Sequence, residues 1–89
     1  MGQVAEALRA KIVAALKPSR LDITDDSARH AGHAGASETG ETHFNIAIVS
    51  EAFAGLGRVQ RQRLIHAAVA AELAGPVHAL SIKATAPGE

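Results

Sequence analysis

A chain of 89 residues can form one domain with a single modest core, so we expect no second domain within these residues. Nine Lys and Arg residues balance nine Asp and Glu residues, so the chain lacks the general positive field that non-specific nucleic-acid binding uses. The chain contains no cysteine, which excludes disulfide bonds and means that any thiolate ligand of a metal has to come from another molecule.

The first predicted element is an amphipathic helix. Apolar residues recur at every fourth position, at Val4, Leu8, Ile12 and Leu16. This spacing keeps them on one side of a helix with about 3.6 residues per turn. Pro18 then ends the helix, because proline has no N–H and restricts the residue before it.

Two strands that pair as a hairpin with a long loop are predicted next. Apolar and polar residues alternate over residues 21–24 and again over 42–49, which is the pattern of half-buried strands. The apolar positions are Leu21, Ile23, Phe44, Ile46 and Ile48. Residues 25–41 contain glycines, two histidines and almost no large apolar side chain, so we expect an exposed loop. A loop this long inside a compact domain is usually either functional or disordered.

A short helical turn and a second long helix are predicted after these strands. Ser50 is the expected N-cap of a turn that ends at Phe53, before a glycine-rich interruption. The second helix should run from about residue 58 to residue 73 and stop at Gly75-Pro76. Its predicted buried stripe consists of Ile65, Ala68, Val69 and Leu73.

The last predicted element is a strand over residues 77–83, in which His78, Leu80 and Ile82 share one face. The order is therefore helix, two strands, helical turn, helix and strand, an αββαβ arrangement of the α+β class. With only two aromatic residues, the core has to consist mainly of Ala, Leu, Ile and Val, which suits helices packed on a small sheet.

Histidine is the residue type with the clearest potential for chemistry in this chain. His30 and His33 lie on the predicted loop, and together with His78 they could converge on one metal ion, including zinc. The simpler interpretation is that the loop histidines are solvated and that His78 only bonds a backbone carbonyl. We expect a structural or supporting role for His43 and a surface position for His66.

Three arginines at the start of the second helix, Arg58, Arg61 and Arg63, form a basic cluster. They could contact nucleic-acid phosphates, although phosphate contacts alone read no base sequence, or they could simply be a solvated helix face. The Gly55-Leu56-Gly57 turn lacks the Gly-x-x-Gly spacing of an RNA-clamping KH loop. DNA and a partner protein are both chemically reasonable ligands of the cluster.

The sequence gives little indication of an enzyme or of a membrane protein. It has no cysteine nucleophile, no recognisable serine–histidine–acid context and no phosphate-binding glycine loop. No apolar run approaches the ~20 residues that span a bilayer, and the amino terminus has no signal-peptide pattern. We therefore expect a cytoplasmic, non-enzymatic protein that is a monomer or a weak homodimer when alone.

Several short motifs occur in a characteristic order along the chain. They are Asp26-Ser27, His30, Thr42-His43-Phe44, Val49-Ser50, Phe53-x-Gly55, Val59-x-Arg61-x-Arg63, Glu72-Leu73 and Val77-His78-Ala79-Leu80-Ser81. With this order and spacing the chain resembles the BolA family over about residues 4–87, as a bacterial member with a histidine-bearing loop. The family usually has Arg-His-Arg where this chain has Arg61-Gln62-Arg63, so no role of that middle histidine is transferred.

The resemblance implies one BolA-like domain over residues 1–89, with a flexible loop at about 27–41 and a fold similar to class II KH domains. It also implies a monothiol glutaredoxin as partner. In such heterodimers a [2Fe–2S] cluster is held by the glutaredoxin cysteine, glutathione, the BolA histidine that matches His78, and a BolA loop residue. His30 matches the loop position best and His33 is the alternative. The resemblance also allows a second function, DNA-binding transcriptional regulation through Arg58, Arg61 and Arg63.

Two imidazoles in place of two thiolates give a Rieske-like set of ligands. This exchange lowers the negative charge at a cluster and raises its reduction potential. Because a protonated imidazole cannot bind a metal, acid is expected to weaken such a complex.

Overall fold

The computed structural model describes residues 2–25 and 42–89. Its elements are α1 (Gln3–Leu16), β1 (Arg20–Asp25), β2 (His43–Val49), a 3-10 turn (Glu51–Phe53), α2 (Arg58–Ala68), α3 (Ala70–Ala74) and β3 (Ala79–Thr85). The loop predicted over residues 27–41, with His30 and His33, lies outside the described residues.

The three strands form one mixed sheet in the order β1-β2-β3. β1 and β2 pair antiparallel, with Ile23 opposite Ile46, which confirms the predicted pairing of the first two strands. β2 and β3 run parallel, with Ile46 opposite Ile82, and a parallel pair requires a crossover that the helices between them supply. The α+β class and the αββαβ order are therefore confirmed.

The helices cover one face of the sheet, where the core lies. Phe44, Ile46 and Ile48 alternate along β2 and are almost completely buried, as their spacing predicted. On α1 the buried positions are Ala5, Leu8, Ile12 and Leu16, while Val4 packs at the margin of the core. The remaining buried apolar residues are Phe53, Ile65, Val69, Val77 and Ala86.

The second long helix is interrupted, in contrast to the single helix expected over residues 58–73. Val69 separates α2 from α3 with φ −115° and ψ 28°, outside the helical region. Its N–H still bonds the Ile65 carbonyl at 3.1 Å, and its side chain is completely buried. The interruption of the helix therefore falls at a residue that inserts into the core. The helical segment still ends before Gly75, as predicted.

β3 begins at Ala79, two residues later than expected. The Val77 N–H bonds the Glu72 carbonyl at the end of the helical segment, so Val77 belongs to the connection and not to the strand. The prediction that His78 shares a strand face with Leu80 and Ile82 is therefore wrong. His78 is exposed and precedes the strand, whereas Leu80 and Ile82 pack partly against the core.

Ser50 fills its predicted capping position and also connects two elements. Its hydroxyl accepts a hydrogen bond from the Ala52 N–H at 3.1 Å and donates to the Leu16 carbonyl at 2.6 Å. The end of α1 is thereby joined to the end of β2. No helix within residues 2–25 and 42–89 is long and apolar enough to cross a membrane.

Candidate metal-binding site

His78 lies at one end of the sheet, in the connection that leads into β3. Its N–H donates to the Thr42 carbonyl at 2.7 Å, and the next N–H, that of Ala79, reaches the same oxygen at 3.3 Å. Thr42 is 7% exposed and directly precedes β2. The backbone of His78 is therefore fixed to a buried residue while its side chain is exposed.

The imidazole of His43 lies beside that of His78. The two ring centroids are 6.0 Å apart and the planes meet at 62°, an edge-on arrangement. The Nδ1 atom of His43 is 2.9 Å from Oγ1 of Thr42, within hydrogen-bonding distance. The sequence predicted a structural or supporting role for His43 but did not identify the residue that it contacts. Only the parallel register, which pairs His43 with Ala79, brings it next to His78.

The segment that carries His30 and His33 joins the sheet at the same end. β1 ends at Asp25, which pairs with Phe44, and Thr42 is the next residue that the structure describes. The two residues that flank positions 26–41, Asp25 and Thr42, therefore lie at the same end of the sheet as His43. Thr42 and His43 both contact His78. This topology is consistent with a shared site, although the positions of His30 and His33 lie outside the described part of the chain.

The residues at this end of the sheet include an exposed imidazole that can bind a metal. The imidazole of His78 is exposed, and no hydrogen bond occupies it in the described part of the chain. A neutral imidazole of this kind is a ligand for iron, copper, nickel or zinc. Within residues 2–25 and 42–89, no three His, Cys, Asp or Glu side chains form a metal-binding group. The exposed imidazole of His78 thus fits a contribution of one ligand to a metal.

The basic cluster is divided by the fold. Arg58 and Arg63 are exposed, but the side chain of Arg61 is only 13% exposed and forms several hydrogen bonds. Its guanidinium donates to the Leu56 carbonyl at 2.9 Å, to the Ala84 carbonyl at 3.1 Å and to the Glu89 carboxylate at 2.6 Å. Arg61 therefore links the start of α2 to the edge of β3.

The ion pair between Arg61 and Glu89 shifts the pKa values of both side chains. The bond from the Arg61 guanidinium, together with the Ala86 N–H, lowers the pKa of the Glu89 carboxyl to about 2, and the same carboxylate raises the pKa of Arg61. A groove of about 500 Å³ lies beside this pair, between α2 and β3, and Arg58, Ile82 and Lys83 contribute to its lining.

His66 is exposed on α2, as the sequence predicted.

Residues 12–89 match a family model described as BolA-like protein. The chain belongs to the BolA family. BolA-like protein 1 from Pongo abelii is 49% identical over 89 residues, which are 100% of this chain and 62% of that protein. The human BolA-like protein 1 is 47% identical, again over 100% of this chain and 62% of the relative. The chain thus spans about three fifths of the length of these relatives.

Solved BolA structures have the same fold. The BolA domain of SufE1 from Arabidopsis thaliana has a TM-score of 0.88 and 44% identity, covering 98% of this chain and 95% of that one. The solution structure of mouse BolA1 has a TM-score of 0.82 and 48% identity, covering 98% of this chain and 68% of that one. BolA-like proteins are non-catalytic, which agrees with the prediction that this domain is not an enzyme.

Proposed function

We propose that this BolA domain binds a monothiol glutaredoxin and contributes the imidazole of His78 to a [2Fe–2S] cluster that the two proteins share. One observation carries the proposal: His78 has a fixed backbone and an exposed imidazole without a hydrogen bond in the described part of the chain. An accessible imidazole on a fixed backbone is available as a ligand to a metal that a second molecule also binds. The second ligand from this chain is His30, with His33 as the alternative.

The composition supports a shared centre. A chain without cysteine supplies no thiolate, so the two thiolates of a Rieske-like ligand set would come from the glutaredoxin cysteine and glutathione. The cluster would supply one-electron redox chemistry and a form of iron that can be passed to other proteins. The residues of this chain bind and orient it. We infer a role in iron–sulfur trafficking or iron-dependent regulation, with no cofactor bound by the free protein.

The proposal is tested by reconstituting the cluster on the purified protein with a monothiol glutaredoxin, glutathione, iron and sulfide. We expect His78→Ala to remove most of the visible absorbance and circular dichroism of the mixed complex, because it removes a ligand. His66→Ala replaces an exposed histidine of α2 and should leave the spectrum unchanged. A wild-type spectrum with His78→Ala would refute the proposal.

The same experiment identifies the second ligand. His30→Ala and His33→Ala are compared side by side, and we expect only one of them to reproduce the loss seen with His78→Ala. The zinc alternative, in which His30, His33 and His78 bind one ion without a partner, predicts instead that zinc alone binds tightly and that each of the three substitutions abolishes binding.

DNA binding through the basic helix is the alternative function. The exposed side chains of Arg58 and Arg63 support it, whereas Arg61 is engaged inside the fold. Cytoplasmic localisation stays a prediction, as does bacterial origin: one plant relative is named Protein BOLA1, chloroplastic, and another relative comes from Sinorhizobium.

A further inference from the structure

We propose that Thr42 and His43 position the imidazole of His78 for metal binding. Thr42 fixes the His78 backbone and holds the His43 ring, and the His43 ring restricts the directions in which the His78 side chain can point. The proposal rests on the proposed function for the identity of the metal centre. The geometry of the free protein can be tested without it.

The first step concerns the backbone. The Thr42 carbonyl accepts hydrogen bonds from the N–H groups of His78 and Ala79, at 2.7 Å and 3.3 Å. Because Thr42 is buried at the start of β2, this oxygen is a fixed point of the sheet. The two bonds set the position of the His78 Cα and the direction of its Cα–Cβ bond. They leave the rotation of the side chain undetermined.

The second step concerns the ring. An exposed histidine normally samples several rotamers, and ordering it at a metal has an entropic cost. The edge-on contact of His43, with centroids 6.0 Å apart, occupies space on one side of the His78 ring. Rotamers that point into this space are excluded, so part of the ordering has taken place before a metal binds.

The third step concerns the support for His43. Its Nδ1 atom lies 2.9 Å from the Thr42 hydroxyl, so the residue that fixes the His78 backbone also orients the neighbouring ring. His43 itself is the first residue of β2 and pairs with Ala79, which anchors it next to His78 along the sheet. Groups that orient a metal ligand in this way commonly change metal affinity 10- to 100-fold when they are removed.

The first test uses the free protein. The side-chain χ1 populations of His78 are measured by NMR coupling constants in wild type, His43→Ala and His43→Phe. We expect one dominant rotamer in wild type, averaging in His43→Ala, and recovery of most of the preference in His43→Phe, which restores a ring but no metal-binding nitrogen. His66→Ala is the control, because it replaces an exposed histidine on a different element, α2.

Thr42 is tested by its hydroxyl. Thr42→Val keeps the shape and the carbonyl but loses the bond to His43, so we expect partial averaging of His78. Thr42→Ser restores the hydroxyl and should return the wild-type rotamer preference. Thermal unfolding of each variant confirms that the fold is intact when the rotamers are measured.

The second test uses the reconstituted complex with glutaredoxin. We expect the cluster to be lost about 10-fold faster from His43→Ala than from wild type, at the lower end of the effect of ligand-supporting groups. His43→Phe should recover most of this loss. An unchanged His78 rotamer and cluster lifetime in His43→Ala would overturn the proposal. So would a His43→Phe complex as unstable as His43→Ala while His78 stays ordered, because His43 would then act as a ligand.

Failure of the two proposals can be told apart. If wild-type protein forms no cluster with glutaredoxin, the proposed function fails, whereas the rotamer measurements on the free protein still decide whether Thr42 and His43 order His78. If the cluster forms and depends on His78 but not on His43, only the positioning role is refuted.

Discussion

At the residue scale, Ser50 shows how one hydroxyl can join two elements. The residue is 1% exposed, and its Oγ both donates to the Leu16 carbonyl and accepts from the Ala52 N–H. The last turn of a helix leaves carbonyls without intrahelical partners, and the first turn of the next helical segment leaves N–H groups in the same state. Ser50 satisfies one group of each kind.

Ser50→Ala is therefore expected to lower the free energy of unfolding by about 1–2 kcal/mol, because it leaves two groups at a buried position without this partner. Denaturant unfolding monitored by circular dichroism measures the change. Ser19→Ala is the matched control: its hydroxyl also bonds a carbonyl, that of Val49, but at an exposed site. The control should change the stability by less than about 0.5 kcal/mol, and an equal effect of the two substitutions would contradict the burial argument.

At the element scale, Arg61 joins α2 to the edge of the sheet. β3 is an edge strand, and its unpaired backbone groups are a template for unwanted pairing with another chain. The bond from Arg61 to the Ala84 carbonyl occupies one of these groups, and Glu89 holds the guanidinium in place. Arg61 thus has a structural role, which explains why its side chain is only 13% exposed.

The ion pair predicts a pH dependence of stability. The Glu89 carboxyl has a pKa of about 2 in the folded protein and an ordinary value of 4.5, so between these values the unfolded chain binds more protons. The contribution of the pair is complete above about 4.5 and is lost as the pH falls toward 2. We expect Glu89→Gln to lower the thermal midpoint at neutral pH and to approach the wild-type midpoint in acid.

Glu51→Gln is the control for this measurement, because Glu51 is an exposed carboxylate that makes no ion pair with an arginine in the described part of the chain. Thermal unfolding is followed for wild type and both variants from neutral to acidic pH. A difference between wild type and Glu89→Gln that stays constant over the whole range would show that the carboxylate charge does not matter.

At the scale of the whole molecule, charge balance limits what the basic helix can do. The formal net charge is zero, and with Arg61 engaged, the exposed arginines of the original cluster are Arg58 and Arg63. If the domain binds DNA with this surface, the logarithm of the binding constant should fall with the logarithm of the salt concentration with a slope of roughly −2, as for two phosphate contacts.

This expectation is checked by fluorescence anisotropy with a labelled duplex at several salt concentrations. Substitution of both Arg58 and Arg63 by Ala should abolish binding and its salt dependence. Binding that persists in the double variant would exclude the basic helix as the DNA contact, and a slope near zero would exclude phosphate contacts altogether.

Much of the fold could be predicted from local patterns. The four-residue spacing of α1 and the alternation of β2 identified Leu8, Ile12, Phe44, Ile46 and Ile48 as core residues, and all five are buried. Such patterns reflect the geometry of single elements, in which side-chain direction repeats with a fixed period. The interruption at Val69 and the late start of β3 were missed, because both depend on packing and hydrogen bonds that the local pattern does not encode.

The candidate site likewise combines features that the sequence determines with features that only the tertiary structure determines. The residues by themselves determined that the chain offers histidines and no thiolates. Only the tertiary structure decided that His43 lies against His78 and that Arg61 is occupied within the fold. The parallel pairing of β2 with β3 joins residues more than 30 positions apart, and no local periodicity encodes a contact over that distance.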